Sequence, residues 1–278
     1  RGDNGTIEEL MLRIAGSPDL YRNRRPHASI NFVTCHDGFT MRDLVSYNYK
    51  HNEMNGENNK DGAIENFSYN WGVEGDTDDP RINKIRKQQV KNFFAILMLS
   101  HGTPMLLMGD EMYRTQKGNN NAYCIDDETT WVDWSLKEEH LDLFEFVTKM
   151  ISFRKTHPAL KRECFFQKYD RFGNVITDIT WHGVDPFEPD TGYTSHSIAF
   201  MISGFEPIRG TTIDNDIYVI LNQWKEPLQF ILPPIHAKSW YRVADTSLPY
   251  PDDFLDVPEK VENHYNAQPH STVIFISK

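Results

Sequence analysis

Ser29-Ile30-Asn31-Phe32-Val33-Thr34-Cys35 is a run of strand formers that ends abruptly in His36-Asp37-Gly38. β-Branched and aromatic residues favour an extended backbone, and glycine lets the chain turn out of it. The layout recurs at Gly102-Thr103-Pro104-Met105-Leu106-Leu107-Met108-Gly109, followed by Asp110 and Glu111. Between the two, Asp79 is a natural helix N-cap and Pro80 suits the first helical position. Ile82 to Ser100 then reads as one helix with a buried face. Strand, helix, strand in that order is a βαβ unit, which implies parallel strands. Both polar strand ends should then emerge on one rim, and in an α/β barrel that rim is where chemistry is done. By local pattern alone, His36-Asp37 reads equally as a surface pair capping a strand.

The flanking segments extend this organisation. Thr6-Ile7-Glu8-Glu9 is a capping-box pattern ahead of apolar Ile7, Leu10, Met11 and Ile14, and Gly16 and Pro18 end that helix. Leu141 to Lys155 reads as another helix, with apolar Leu141, Phe144, Val147 and Ile151 and with Pro158 as its stop. From about Ala159 short β-rich runs take over: Val175–Trp181, Ser197–Ile202, Ile217–Leu221, Leu228–Leu232, Trp240–Val243 and Thr272–Ile276. Turn formers such as Asp214-Asn215-Asp216 and Pro233-Pro234 separate them, the spacing of an antiparallel sandwich. Two domains are therefore expected, 1–158 and 159–278.

Composition narrows the function classes. A net charge of -11 argues against a nucleic-acid partner, which calls for a basic face. The longest apolar stretch, Phe93 to Leu99, falls far short of the roughly 20 residues that span a bilayer, so no membrane partner is expected. Three cysteines (Cys35, Cys124 and Cys164) make no disulfide framework and suggest a reducing compartment, the cytoplasm. There is no Cys-x-x-Cys, no His-Glu-x-x-His and no Gly-rich phosphate loop, so neither a metal nor a nucleotide cofactor is called for. Asn52 to Gly62 is rich in Asn, Glu and Gly but lacks the spacing of an EF-hand, and reads as a long loop near the cleft.

The chain resembles the isoamylase-type glycogen debranching enzymes of the α-amylase superfamily, glycoside hydrolase family 13. Matching runs are Asn31–Thr40, Asp43–Asn48, Lys50–Glu53, Asn55–Gly62, Gly109–Glu111 and Gly118–Cys124. Similarity is dense from Arg1 to about Pro158 and sparser beyond, where Trp181-His182-Gly183 and Asp245-Thr246-Ser247-Leu248-Pro249 are the markers. The resemblance implies the C-terminal portion of a (β/α)8 barrel followed by an antiparallel β-sandwich. The first helix would be barrel helix six, Ile30–Cys35 strand seven, Met105–Met108 strand eight and Leu141–Lys155 helix eight. A barrel needs eight strands, so the chain is expected to be part of a longer polypeptide, a non-barrel fold being the alternative.

The activity so implied is hydrolysis of α-1,6 branch linkages in glycogen, amylopectin or limit dextrins by a retaining mechanism. Retention uses two carboxyl groups roughly 5 Å apart. By resemblance these nucleophile and acid residues end strands four and five, which this sequence lacks, so the missing N-terminal part of the same enzyme is an expected partner. Asp37 matches the family's third carboxylate, which stabilises the transition state. His36 is expected to hydrogen-bond sugar hydroxyls beside it, or else to orient the loop. Of the adjacent pair Asp110 and Glu111, at most one need face the cleft; Glu111 is expected at the rim, with Asp110 free to pair with an arginine in the missing part of the polypeptide. Asn120 and Asn121 supply amides suited to sugar hydroxyls, and Tyr123 a flat face for a pyranose ring. Trp71, Trp131 and Trp134 are either stacking platforms or core. A glucan-binding subunit without catalysis is the competing reading. A metal-dependent phosphohydrolase, suggested only by His36-Asp37, is disfavoured because the motif ends a strand.

Overall fold

The computed structural model describes residues 2–168, 173, 177–206 and 210–278. Helix α1 is Ile7–Ile14, with Ile7 and Ile14 buried as the apolar spacing predicts. The expected capping box does not form. Thr6 already has helix-like dihedrals, so its hydroxyl turns outward and donates to the Asp3 carbonyl at 3.1 Å. Short helices α2 (Pro18–Tyr21) and α3 (Met41–Leu44) precede the long α4 (Pro80–Leu99). There Asp79 Oδ1 accepts the Arg81 N–H at 2.8 Å, and Pro80 occupies the first position, as expected. Helix α5 (Leu136–Glu139) leads into α6 (Leu141–Thr156), one residue longer than its sequence pattern. None of these helices is long and apolar enough to cross a membrane.

The two expected core strands are much shorter than their apolar runs. Strand β1 is Ile30–Asn31 and β2 is Thr103–Pro104, joined where the Thr103 N–H donates to the Ser29 carbonyl at 2.8 Å. Met105–Met108 lies beyond β2 and is not a strand. An extended backbone becomes a strand only where its polar groups pair, and each of these strands has the other as its only neighbour among the described residues. Pro104 also lacks an N–H to give. The apolar side chains meant for a core are accordingly open, Phe32 being 51% and Met108 65% exposed.

The β-rich part follows its pattern closely. Strands β3 (Ile179–His182), β4 (Ser197–Ile202), β7 (Ile217–Asn222), β9 (Trp240–Asp245), β10 (Phe254–Lys260) and β12 (Ser271–Ser277) form one antiparallel sheet. Their order is β10-β9-β12-β7-β4-β3. Val175 and Ile176, at the start of the first expected strand, lie outside the described residues. The ribbons β5 (Phe205–Glu206) with β6 (Thr211–Thr212) and β8 (Leu228–Ile231) with β11 (His264–Ala267) complete it. Central strands β7 and β12 are buried along their whole length, which is why they read as unbroken apolar runs rather than alternating ones. On one face, Tyr218, Ile220, Val273 and Phe275 pack with Phe230 and Ala267 of the β8–β11 ribbon and with Trp240. On α6, Phe153 meets Phe254 edge-on at 6.4 Å, and Lys149 donates to the Phe254 carbonyl at 3.0 Å.

By internal contact the chain forms two compact units. One comprises Phe32–Leu97 and Pro104–Thr148, the other Gly2–Asn31, Met98–Thr103 and Lys149–Lys278. In the second unit, Arg154 of α6 closes the end of α4. Its Nη1 donates to the Met98 and Ser100 carbonyls at 2.5 and 2.9 Å, and its Nη2 to the Gly102 carbonyl at 2.7 Å. The Met98 carbonyl in the last turn of α4 and two carbonyls just beyond it are thus satisfied by one cation, the favoured charge at that end.

Candidate functional site

The site lies in the first unit, where the chain leaving β1 meets the chain leaving β2. Gly38, at φ +126, donates its N–H to the Asn120 carbonyl at 2.9 Å. Two loop segments 82 residues apart in sequence, one after each strand, are thereby brought together. His36 and Asp37 sit at this turn with side chains 85% and 75% exposed, and His36 Nε2 lies 3.3 Å from Asp37 Oδ2. No other part of the described chain holds either side chain by a hydrogen bond or ion pair, so both are presented outward.

Beneath the turn lies a lattice of side-chain amides. Asn52 Oδ1 accepts the Asn120 N–H at 3.0 Å, while Asn52 Nδ2 donates to Asn120 Oδ1 at 2.9 Å. Asn120 Nδ2 donates to the Ala63 carbonyl and to Asn66 Oδ1, at 2.9 and 2.7 Å. Both amide protons are used within the protein and the residue is 2% exposed, so this side chain fixes the loop rather than presenting itself to a ligand. Asn121 Nδ2 donates to Asp61 Oδ2 at 2.9 Å, and Asn55 Nδ2 reaches the same oxygen at 2.7 Å. These two amides hold the Asp61 carboxyl below its ordinary range. Gly62 makes the lattice possible: at φ +72, an added Cβ would lie 2.3 Å from Asn120 Oδ1. The loop from Asn52 to Gly62 is therefore part of the site, and Asn52, Asn55, Asp61 and Asn66 are members that sequence reasoning missed.

The pair after β2 divides its roles. Asp110 is fully buried; its Oδ1 accepts the Met41 N–H at 3.0 Å and its Oδ2 accepts the Thr34 hydroxyl. Among the described residues no arginine forms an ion pair with it. Burial pushes its carboxyl up to about 7 against these hydrogen bonds. Burial also raises Asp43, which accepts the Thr115 hydroxyl at 2.5 Å and the Gln116 N–H at 2.8 Å. Glu111 is half-buried and folds back to accept the Gly109 N–H at 2.9 Å.

The same unit carries exposed aromatic side chains. Tyr123 is 77% exposed, Trp131 60% and Trp134 70%, so none of the three is core. Trp71 is half-buried and packs edge-on against Tyr69 at 5.0 Å. Exposed flat aromatic faces of this kind suit the apolar face of a sugar ring. No cluster of three or more metal-ligating side chains occurs among the described residues. A cavity of about 630 Å³ on the same unit is lined by Arg42, Asp76, Arg86 and Lys87, among others. Its cations are already engaged: Arg42 with Asp76 at 2.8 Å and Lys87 with Asp142 at 3.0 Å.

Residues 180–275 match the family described as isoamylase 1-3, C-terminal. The chain is 44% identical over 271 residues to the glycogen operon protein GlgX homolog of Mycobacterium tuberculosis, covering 92% of this chain and 37% of that protein. Over 285 residues it is 40% identical to isoamylase 3, chloroplastic, of Oryza sativa subsp. japonica, covering 100% of this chain and 34% of that one. It thus spans about a third of the length of the curated relatives it matches. Among solved structures it is similar to pullulanase type I from Bacillus subtilis, solved with maltose. There the TM-score is 0.65 at 20% identity, over 99% of this chain and 32% of that one, a likeness of fold.

Proposed function

Because this chain belongs to the isoamylase-type glycogen debranching family, we propose that it forms part of a hydrolase cleaving α-1,6 branch linkages of glycogen or starch. The observation that carries this reading is the exposed His36-Asp37 pair, whose turn is tied through Gly38 to Asn120 of the buried amide lattice, with exposed Tyr123 three residues further along the same loop. In the proposed enzyme Asp37 faces the anomeric carbon. A fixed carboxylate there lowers the energy of an oxocarbenium-like state as positive charge develops. His36 bonds sugar hydroxyls next to it, and Tyr123 stacks on a pyranose ring. Asn120, Asn121 and Glu111 hold the shape of the surrounding loops. The nucleophile and general acid of the retaining mechanism belong to a further part of the polypeptide, which completes the site.

In this reading residues 1–158 are the C-terminal portion of a (β/α)8 barrel, with β1 and β2 as the cores of strands seven and eight. Residues 159–278 are the β-sandwich that follows. Three unpaired cysteines fit a reducing cytoplasm. The test is the intact polypeptide that carries this chain, assayed on amylopectin. Linear chains and new reducing ends are expected from it, and none from residues 1–278 alone. An intact polypeptide that binds amylopectin without releasing reducing ends would overturn hydrolysis and leave glucan binding as the function.

A further inference from the structure

Among the described residues, two hydrogen bonds that tie the flanks of the His36-Asp37 turn to the chain after β2 converge on one buried carboxyl. Thr34 lies just before the turn and Met41 just after it. The Thr34 hydroxyl and the Met41 N–H both donate to Asp110, to its Oδ2 and Oδ1 respectively. The Gly38 N–H donates to the Asn120 carbonyl, and Phe39, just after the turn, is buried against Tyr47. Asp110 is fully buried, without an ion pair among the described residues. The charged groups that act on it are Arg114, which favours its ionised form, and Asp43, which opposes it. A buried carboxyl with no counter-ion is costly, so plain stability would be better served by an apolar residue there. Its two oxygens instead span the mouth of the turn like a clasp.

We propose that Asp110 is a positioning residue for Asp37: by gripping Thr34 and Met41 together it sets where the Asp37 carboxylate stands against the reacting sugar. The inference rests on the role of Asp37 given above. Displacing a reacting group by about 1 Å can cost about a hundredfold in rate. Loss of the clasp should therefore appear in kcat and scarcely in KM.

The experiment compares Asp110→Ala, Asp110→Asn and Asp37→Asn in the intact polypeptide, with kcat and KM on amylopectin and circular dichroism to report the folded fraction. Asp110→Ala should lower kcat at least about tenfold with KM within about twofold. Asp110→Asn should restore most of it, since the amide oxygen still accepts from Met41 and the amide N–H can donate to the Thr34 hydroxyl. An Ala variant with wild-type kcat per folded molecule overturns the proposal, as does equal loss in Asn and Ala. Should Asp110→Ala fail to fold, Thr34→Val removes one arm of the clasp alone. A fall in kcat of about threefold or more is then expected, and an unchanged kcat overturns the proposal. A fully active Asp37→Asn enzyme would sink the underlying reading instead, which separates the two failures.

Discussion

Asn52 and Asn120, 68 residues apart, bind each other twice: the Asn120 backbone N–H donates to Asn52 Oδ1 at 3.0 Å, and Asn52 Nδ2 donates to Asn120 Oδ1 at 2.9 Å. This reciprocal pair ties the loop after β1 to the loop after β2. Asn52→Ala leaves the buried Asn120 N–H without its partner. Denaturant unfolding should show a loss of about 1–3 kcal/mol, the cost of an unsatisfied buried donor. A variant with unchanged stability would mean that water replaces the amide without cost.

Gly62 is the second test of the lattice. Its φ of +72 disfavours any side chain, and a Cβ would meet Asn120 Oδ1 at 2.3 Å and Asn52 Nδ2 at 2.9 Å. Gly62→Ala should therefore destabilise by more than the ~1 kcal/mol of left-handed strain alone. It should also lower debranching by the intact polypeptide. Gly56→Ala, where a Cβ meets nothing within 4 Å at φ +78, isolates the conformational part.

His101 predicts the acid limb of stability. It is 3% exposed, and its Nε2 lies 2.9 Å from the Arg162 carbonyl. Burial, with Arg154 and Arg162 nearby, pulls its pKa down to about 4 from an ordinary 6.5. The unfolded chain therefore binds a proton between pH 6.5 and 4 that the folded chain refuses. The contribution of His101 is present above pH 6.5 and is lost as pH falls through that window towards 4. Melting temperature measured across that range should fall less steeply in His101→Gln than in the parent.

Arg154 is a structural cation. Burial lowers its pKa to about 10, still far above neutral pH, so it stays charged while it binds three carbonyls at and just beyond the end of α4. Arg154→Met removes the donors while keeping much of the volume. A loss of about 3 kcal/mol is expected in chemical denaturation, the range for removing charge-assisted hydrogen bonds from buried acceptors. A loss under about 0.5 kcal/mol would show that those carbonyls find other donors.

What the sequence made legible follows from locality. Helices α4 and α6 were readable because Asp79, Pro80 and Pro158 punctuate them, and β4, β7 and β12 because their apolar runs are uninterrupted. Strand β10 was missed: Phe-Leu-Asp-Val-Pro-Glu-Lys holds a proline and alternating charges, which an edge strand tolerates. Ile30–Cys35 and Met105–Met108 were read as full strands because their composition is right, but pairing partners, not composition, decide a ladder. At the site, His36 and Asp37 stood out as titratable residues after a strand. The amide lattice did not, because Asn and Gly in a loop read as ordinary turns until residues distant in sequence are placed together. The partners of Asp110 were hidden for the same reason, since Thr34 and Met41 lie far away in sequence.

The most direct test of the central claim is kcat for Asp37→Asn in the intact polypeptide on amylopectin, beside the parent. Loss of transition-state stabilisation lowers kcat far more than it raises KM, so a fall of about a hundredfold or more in kcat is expected, with KM nearly unchanged. An Asp37→Asn enzyme as active as the parent would contradict the placing of Asp37 at the reacting sugar, and with it the proposed role of this chain.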